Sequence, residues 1–267
     1  MKKTLVIYIK YCAFSLFIGV TTPVFSASLV EKVAQRESLN VCIWPGYYAI
    51  SYRAPRTEVL TGIDVDMARL FAKWLLVELN FVDSSFAKLQ QNITNGNCDI
   101  AMHGVAIREN RKAYMDFSAP HLRSGIYGIS MQSNQQIRTW DDIDLEGVIA
   151  VVQKKTFMEP VMRTTLKRAQ LLVVDSFKAR EQAVQSGRAD VFMTDFPYGK
   201  RMISLTKWAR LLSPKQPFST TEYAYAVPKG DKRWLAKVNA FLSEKKADGT
   251  LLALAEKYQL TPIVVTD

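Results

Sequence analysis

Apolar positions along the chain fall into short continuous runs separated by stripes at helical spacing, and the alternation occurs twice. Residues 39–43 make a buried-strand run, closed by a turn at Pro45-Gly46. Gly62 leads into a helix starting near Asp64, where Val65, Ala68, Ala72 and Leu75 recur on one face. Asp64 and Asp66 complement the positive end of that helix. A strand over 79–82, a short helix over 86–93 ending at Asn95-Gly96-Asn97, and a strand over 99–102 running into Gly104 complete a first unit.

The second unit opens with a strand over 148–153. Thr156 and Glu159 then stand at capping-box spacing ahead of Val161, Met162 and Leu166. A strand over 171–174, a helix over 179–185 ended by Gly187, and a strand over 190–194 follow, delivering Asp195. The last stretch reads as an extended segment over 223–227, a turn at Pro228-Lys229-Gly230, and helices over 232–244 and 250–258. Strands alternating with helices predict α/β layers with parallel sheets. Two such units and a returning C-terminal segment predict two lobes joined by two crossings, lobe 1 from 27–124 and 224–267 and lobe 2 from 125–223. Ligands bind outside the carboxyl ends of such sheets, which places Gly104 and Asp195 where a site is expected.

Composition narrows the class. Hydrophobic residues are 48% and charged residues 22% of 267, a globular balance that excludes a disordered chain. Lys2 and Lys3, an apolar run over 11–20 and small residues near Ser26 and Ala27 predict a signal peptide over 1–26, cleaved after Ser26. That run is too short to span a membrane, and Cys12 lacks the small-residue setting of a lipoprotein site. Net charge is +10, or +7 once Lys2, Lys3 and Lys10 are removed. The basic residues are scattered, so the charge reads as a solvated surface and no nucleic-acid partner is expected. Cys42 and Cys98 remain in the mature chain. Export permits a disulfide between them, but both lie in apolar strand-like segments, and buried free thiols are the plainer expectation. His103 and His121 are the only histidines; neither their surroundings nor the cysteine spacing predicts a metal site, and no cofactor is expected.

Five stretches then carry a resemblance: Gly62-Ile63-Asp64-Val65-Asp66-Met67-Ala68, Cys98-Asp99-Ile100-Ala101-Met102, Arg111 with Phe117-Ser118-Ala119-Pro120, Gly187-Arg188-Ala189-Asp190 with Thr194-Asp195, and Glu222-Tyr223 through Asp231. In order and spacing the chain resembles the bacterial periplasmic solute-binding proteins of the polar-amino-acid type, family 3, over roughly 39–260. The resemblance implies a two-lobed type II periplasmic binding fold with two hinge crossings, an amino-acid-like ligand captured by hinge closure, and a monomer that serves an ABC transporter permease. Gly62 to Met67, Gln216-Pro217-Phe218 and Ser51-Tyr52-Arg53 are also similar to the periplasmic cyclohexadienyl dehydratases, which keeps an enzyme reading open. A ligand-sensor domain is a third reading, but nothing after Tyr258 suggests an attached module.

By that resemblance Arg111 clamps the ligand α-carboxylate, which a planar guanidinium does with two parallel charged bonds. Asp195 accepts the α-ammonium from the other lobe, so one zwitterion bridges both lobes and favours closure. Thr156, at a predicted helix start, offers a hydroxyl and backbone N–H groups to an anion, although a plain cap would look the same. Lys155 stands where the family has glycine and Phe157 where a second threonine is common. Trp44, Tyr47 and Phe86 fall in loops that form an aromatic wall, with core packing the alternative for each. His103, before Gly104, either narrows the pocket or points into the lobe. Glu159 matches the dehydratase acid, which would protonate a leaving hydroxyl, but glutamate is also common there as a cap partner.

Overall fold

The computed structural model describes residues 27–267; the signal peptide expected over 1–26 lies outside them. Two sheets of closely similar order form the two lobes. The first runs Glu78–Asp83, Ser38–Ile43, Ile100–Ala106, Thr221–Pro228, Met115–Phe117, with Leu122–Ser124 also paired to Thr221–Pro228. The second runs Gln170–Val174, Ile149–Gln153, Val191–Thr194, Tyr127–Met131, Ala209–Leu212. In each, the first three strands are parallel and the returning strand is antiparallel. The fold is therefore the mixed α/β, two-lobed architecture that the alternation predicts.

Parallel strands covered on both faces need continuous apolar runs. Ile100–Ala106 is buried at every position and Val191–Thr194 likewise. Helix Ile63–Leu75 lays Ile63, Val65, Met67, Ala68, Phe71 and Ala72 into the first lobe, where Phe71, Trp234 and Phe241 pack ring against ring. A small antiparallel sheet, Gly46–Tyr47, Ser51–Arg53 and Leu60–Thr61, rises beside it. The chain crosses between the sheets at 125–126 and again at 213–220. The crossings hold each other, since Ile126 N–H donates to Phe218 O at 2.9 Å.

Three expectations are corrected. Cys42 and Cys98 form a disulfide, with Cα atoms 5.5 Å apart. Parallel pairing of Ser38–Ile43 with Ile100–Ala106 sets Cys42 against Ala101, and Cys98 lies just ahead of that strand. Apolar surroundings suit a buried thiol and a buried disulfide alike, so context alone misled. Thr156 and Glu159 form no capping box, because the helix begins one residue later, at Met158–Thr165 with Phe157 as its cap. The helix expected from 86 likewise starts later, as Leu89–Thr94, which leaves Phe86 in a turn facing the cleft. Helix Phe196–Leu205 and strands Tyr127–Met131 and Ala209–Leu212 were not anticipated.

Candidate functional site

The pocket between the lobes is lined by Tyr47, Phe86, Gly104, Ala106, Arg111 and Tyr223 from the first and by Thr156, Phe157, Met158, Phe177 and Asp195 from the second. Its cavity measures about 20 Å³, room for about one water. A body of amino-acid size is admitted only when the lobes part or these side chains turn.

Arg111 arrives on the short helix Glu109–Lys112, just past the carboxyl end of Ile100–Ala106. Its Nη1 donates to Ala106 O at 2.9 Å, within its own lobe. Its Nη2 donates to Lys155 O at 3.3 Å, across the cleft. Beside it, Arg108 Nη1 donates to Thr156 O at 3.0 Å. Burial first, and then the neighbouring Arg108, pull the Arg111 guanidinium down to about 10, so it stays charged at neutral pH.

Asp195 follows Val191–Thr194 and caps helix Phe196–Leu205, its Oδ1 accepting from Tyr198 N–H at 3.2 Å. Its Oδ2 accepts from the Tyr223 hydroxyl at 2.8 Å and from the Tyr47 hydroxyl, both across the cleft. Asp195 is 3% exposed. Burial pushes its carboxyl above the ordinary aspartate range, against the opposing pull of those bonds and of Arg180. Among the described residues, neither Arg111 nor Asp195 has a salt-bridge partner. One buried cation from one lobe and one buried anion from the other thus share a pocket without being paired.

The remaining expected residues divide. Gly104 lines the pocket at φ 62°, and a Cβ there would meet the Tyr47 ring at 2.8 Å, so only glycine fits. Tyr47 and Phe86 are walls. Trp44 is not among the lining residues: it stacks on Phe177 at 4.1 Å across the lobes and backs the wall from outside. Thr156 faces the pocket, but its Oγ1 donates to Gln153 O at 2.8 Å. The turn beside it carries Lys155 at φ 64°, the left-handed conformation that favours glycine. Lys155 N–H goes to Glu159 Oε2 at 2.9 Å, and the carbonyls of Lys155 and Thr156 face the two arginines. Glu159 also accepts from Arg163 and lines a neighbouring outer cleft instead of the pocket. His103 is fully buried in the lobe, edge-on to Phe86 at 5.2 Å.

Sequence reasoning passed over Tyr223, Phe157, Met158 and Phe177 as wall residues. Phe177 had a usable signal, since it opens the helix just beyond the carboxyl end of Gln170–Val174. Tyr223 had a weaker one, its place on the strand that returns from lobe to lobe.

A hinged cleft lined by one charge from each of two α/β lobes is the architecture of a solute-binding protein. The model of the bacterial extracellular solute-binding proteins, family 3, matches residues 39–261, and the chain belongs to that family. It is 31% identical over 225 residues to the cyclohexadienyl dehydratase of Pseudomonas aeruginosa, covering 84% of this chain and 83% of that one. It is 29% identical over 248 residues to the L-cystine-binding protein TcyJ of Escherichia coli K12, covering 92% of each. Among solved structures, the ancestral amino acid-binding protein AncCDT-1, a precursor of cyclohexadienyl dehydratase, superposes with a TM-score of 0.78 at 29% identity. That match covers 86% of this chain and 99% of the other.

Proposed function

We propose that this chain is an exported receptor that closes around an α-amino acid and presents it, as a monomer, to the permease of an ABC-type importer. Arg111 holds the carboxylate and Asp195 the ammonium, while Tyr47, Phe86 and Gly104 shape the wall. One observation carries the reading: Arg111 and Asp195 are buried, opposite in charge, on opposite lobes and unpaired with each other. An isolated buried charge is costly, and a zwitterion neutralises both at once. Their cross-cleft partners, Lys155 O, Tyr47 and Tyr223, are the groups a ligand would replace. The disulfide accords with a periplasmic location after cleavage of residues 1–26.

A thermal-shift screen of the standard amino acids tests this. A ligand at about 100-fold excess over its dissociation constant stabilises the protein by about 2.7 kcal/mol. No shift with any amino acid sinks the proposal.

The similarity to a dehydratase supports a second reading, in which the chain converts prephenate. That reading requires an acid in the pocket, and the acid there is Asp195, since Glu159 is held outside by Lys155 N–H and Arg163. Incubation with prephenate is expected to yield aromatic keto acid no faster than buffer. A faster rate that Asp195→Asn abolishes would establish the enzyme instead.

A further inference from the structure

Beyond Arg111 and Asp195, every residue lining the pocket is uncharged. Those two charges match the two ends of a zwitterion, so a third charge on the ligand would be buried without a partner, at a cost of several kcal/mol.

Aromatic rings sometimes supply what a carboxylate does not, through cation–π contact. Here the rings are already engaged by the protein's own cations. The Arg111 guanidinium lies 5.7 Å from the centroid of Phe86. Arg180, fully buried, lies 4.5 Å from the centroid of Phe177, and Trp44 stacks on that same ring at 4.1 Å. Arg180 has one hydrogen bond, to Met193 O at 2.6 Å, and its Nε and Nη2 have no partner among the described residues. It therefore adds positive charge directly behind the wall, offset in part by Asp195 and Glu181. Arg108 adds more at the rim. A cationic side chain meets repulsion without a counter-ion. An anionic one meets walls of Phe86, Phe157, Met158 and Phe177 that carry no side-chain donor.

Granting that the site takes an α-amino acid, we propose that it selects one whose side chain is uncharged and largely apolar, and that Phe157 is the residue that reads it. Phe157 caps Met158–Thr165 and sits 8% exposed in the pocket wall, its ring 6.4 Å from that of Tyr223. Its backbone, at φ −72° and ψ −20°, lies in the ordinary helical region that aspartate and threonine also adopt, so the residue is replaceable.

Calorimetry of the full mature chain with leucine, methionine, phenylalanine, arginine, lysine and glutamate tests the assignment. The tightest ligand is expected among the first three, with arginine, lysine and glutamate weaker by about a hundredfold or more. In Phe157→Asp the apolar ligands are expected to weaken roughly ten- to hundredfold and arginine or lysine to gain. Phe157→Thr gives the same loss without the gain, which separates lost packing from added charge. A charged amino acid binding as tightly as the best apolar one overturns the specificity while leaving the amino-acid reading intact. An unchanged ranking in both variants overturns the role of Phe157. If none of the six binds, the apolar specificity fails; the amino-acid reading fails with it only where the screen of all standard amino acids is negative too.

Discussion

The two lobes share a sheet order but hold their buried charges differently. In the first lobe Asp64 is locked within the lobe, accepting from Gly104 N–H at 2.7 Å and meeting His121 Nε2 at 2.7 Å. In the second lobe the buried carboxylate is Asp195, which has one partner of its own, Tyr198 N–H, and two that belong to the opposite lobe. Arg111 mirrors it from the first lobe, with Ala106 O at home and Lys155 O across the cleft. A charge satisfied inside its lobe serves the fold. A charge whose partners lie across a hinge changes its surroundings when the hinge moves, and that is the property a ligand can exploit.

The largest expected effect breaks the cross-cleft set. Arg111→Ala or Asp195→Asn should weaken amino-acid binding by 2–5 kcal/mol or more, the usual cost of unpairing a buried charge. Calorimetry reads the loss, and an affinity within threefold of the parent would detach these residues from the site.

Next comes a cross-link that only the first lobe has. Cys42→Ser with Cys98→Ser should cost about 2–4 kcal/mol of stability. Hydrogen exchange should place the loss in Ser38–Ile43 and Ile100–Ala106 and spare the second sheet. Equal deprotection of both sheets would mean that the lobes unfold as one unit.

Acid should also act on the first lobe. Burial drives His103 from 6.5 down to about 4, its nitrogens having no hydrogen-bond partner among the described residues. Between those values the unfolded chain binds a proton that the folded chain refuses. The contribution is therefore intact above about pH 6.5 and lost as pH falls toward 4, by at most about 3 kcal/mol. His103→Leu should flatten the acid limb of the melting temperature; an unaltered limb assigns it to other groups.

The smallest effect belongs to the second lobe. Lys155→Gly relieves the left-handed backbone at 155, at φ 64°, and should raise stability by up to about 1 kcal/mol in a denaturant titration.

How far the sequence was legible follows from which relations are local. The alternation of runs and stripes sufficed for the parallel strands of both sheets, because burial on two faces demands a continuous apolar run wherever it occurs, but not for the antiparallel strands Tyr127–Met131 and Ala209–Leu212. Gly104 and Asp195 could be placed since ligands collect at the carboxyl ends of parallel strands. The disulfide could not, because its 5.5 Å Cα separation depends on the neighbouring strand's register, 56 residues away. Tyr47 and Tyr223 meet Asp195 only once the lobes face each other. Glu159 has the spacing of a capping partner, but Phe157 takes the cap, and that shift sends its carboxylate to Lys155 N–H.

The most direct test of the account compares leucine with leucinamide, which lacks the carboxylate, on the parent protein and on Arg111→Ala. The parent is expected to bind leucine at least about a hundredfold tighter than the amide, and the variant to bind both equally weakly, since each change removes the same contact. If the variant keeps the parent's full preference for leucine, the carboxylate is held elsewhere and Arg111 is not its clamp.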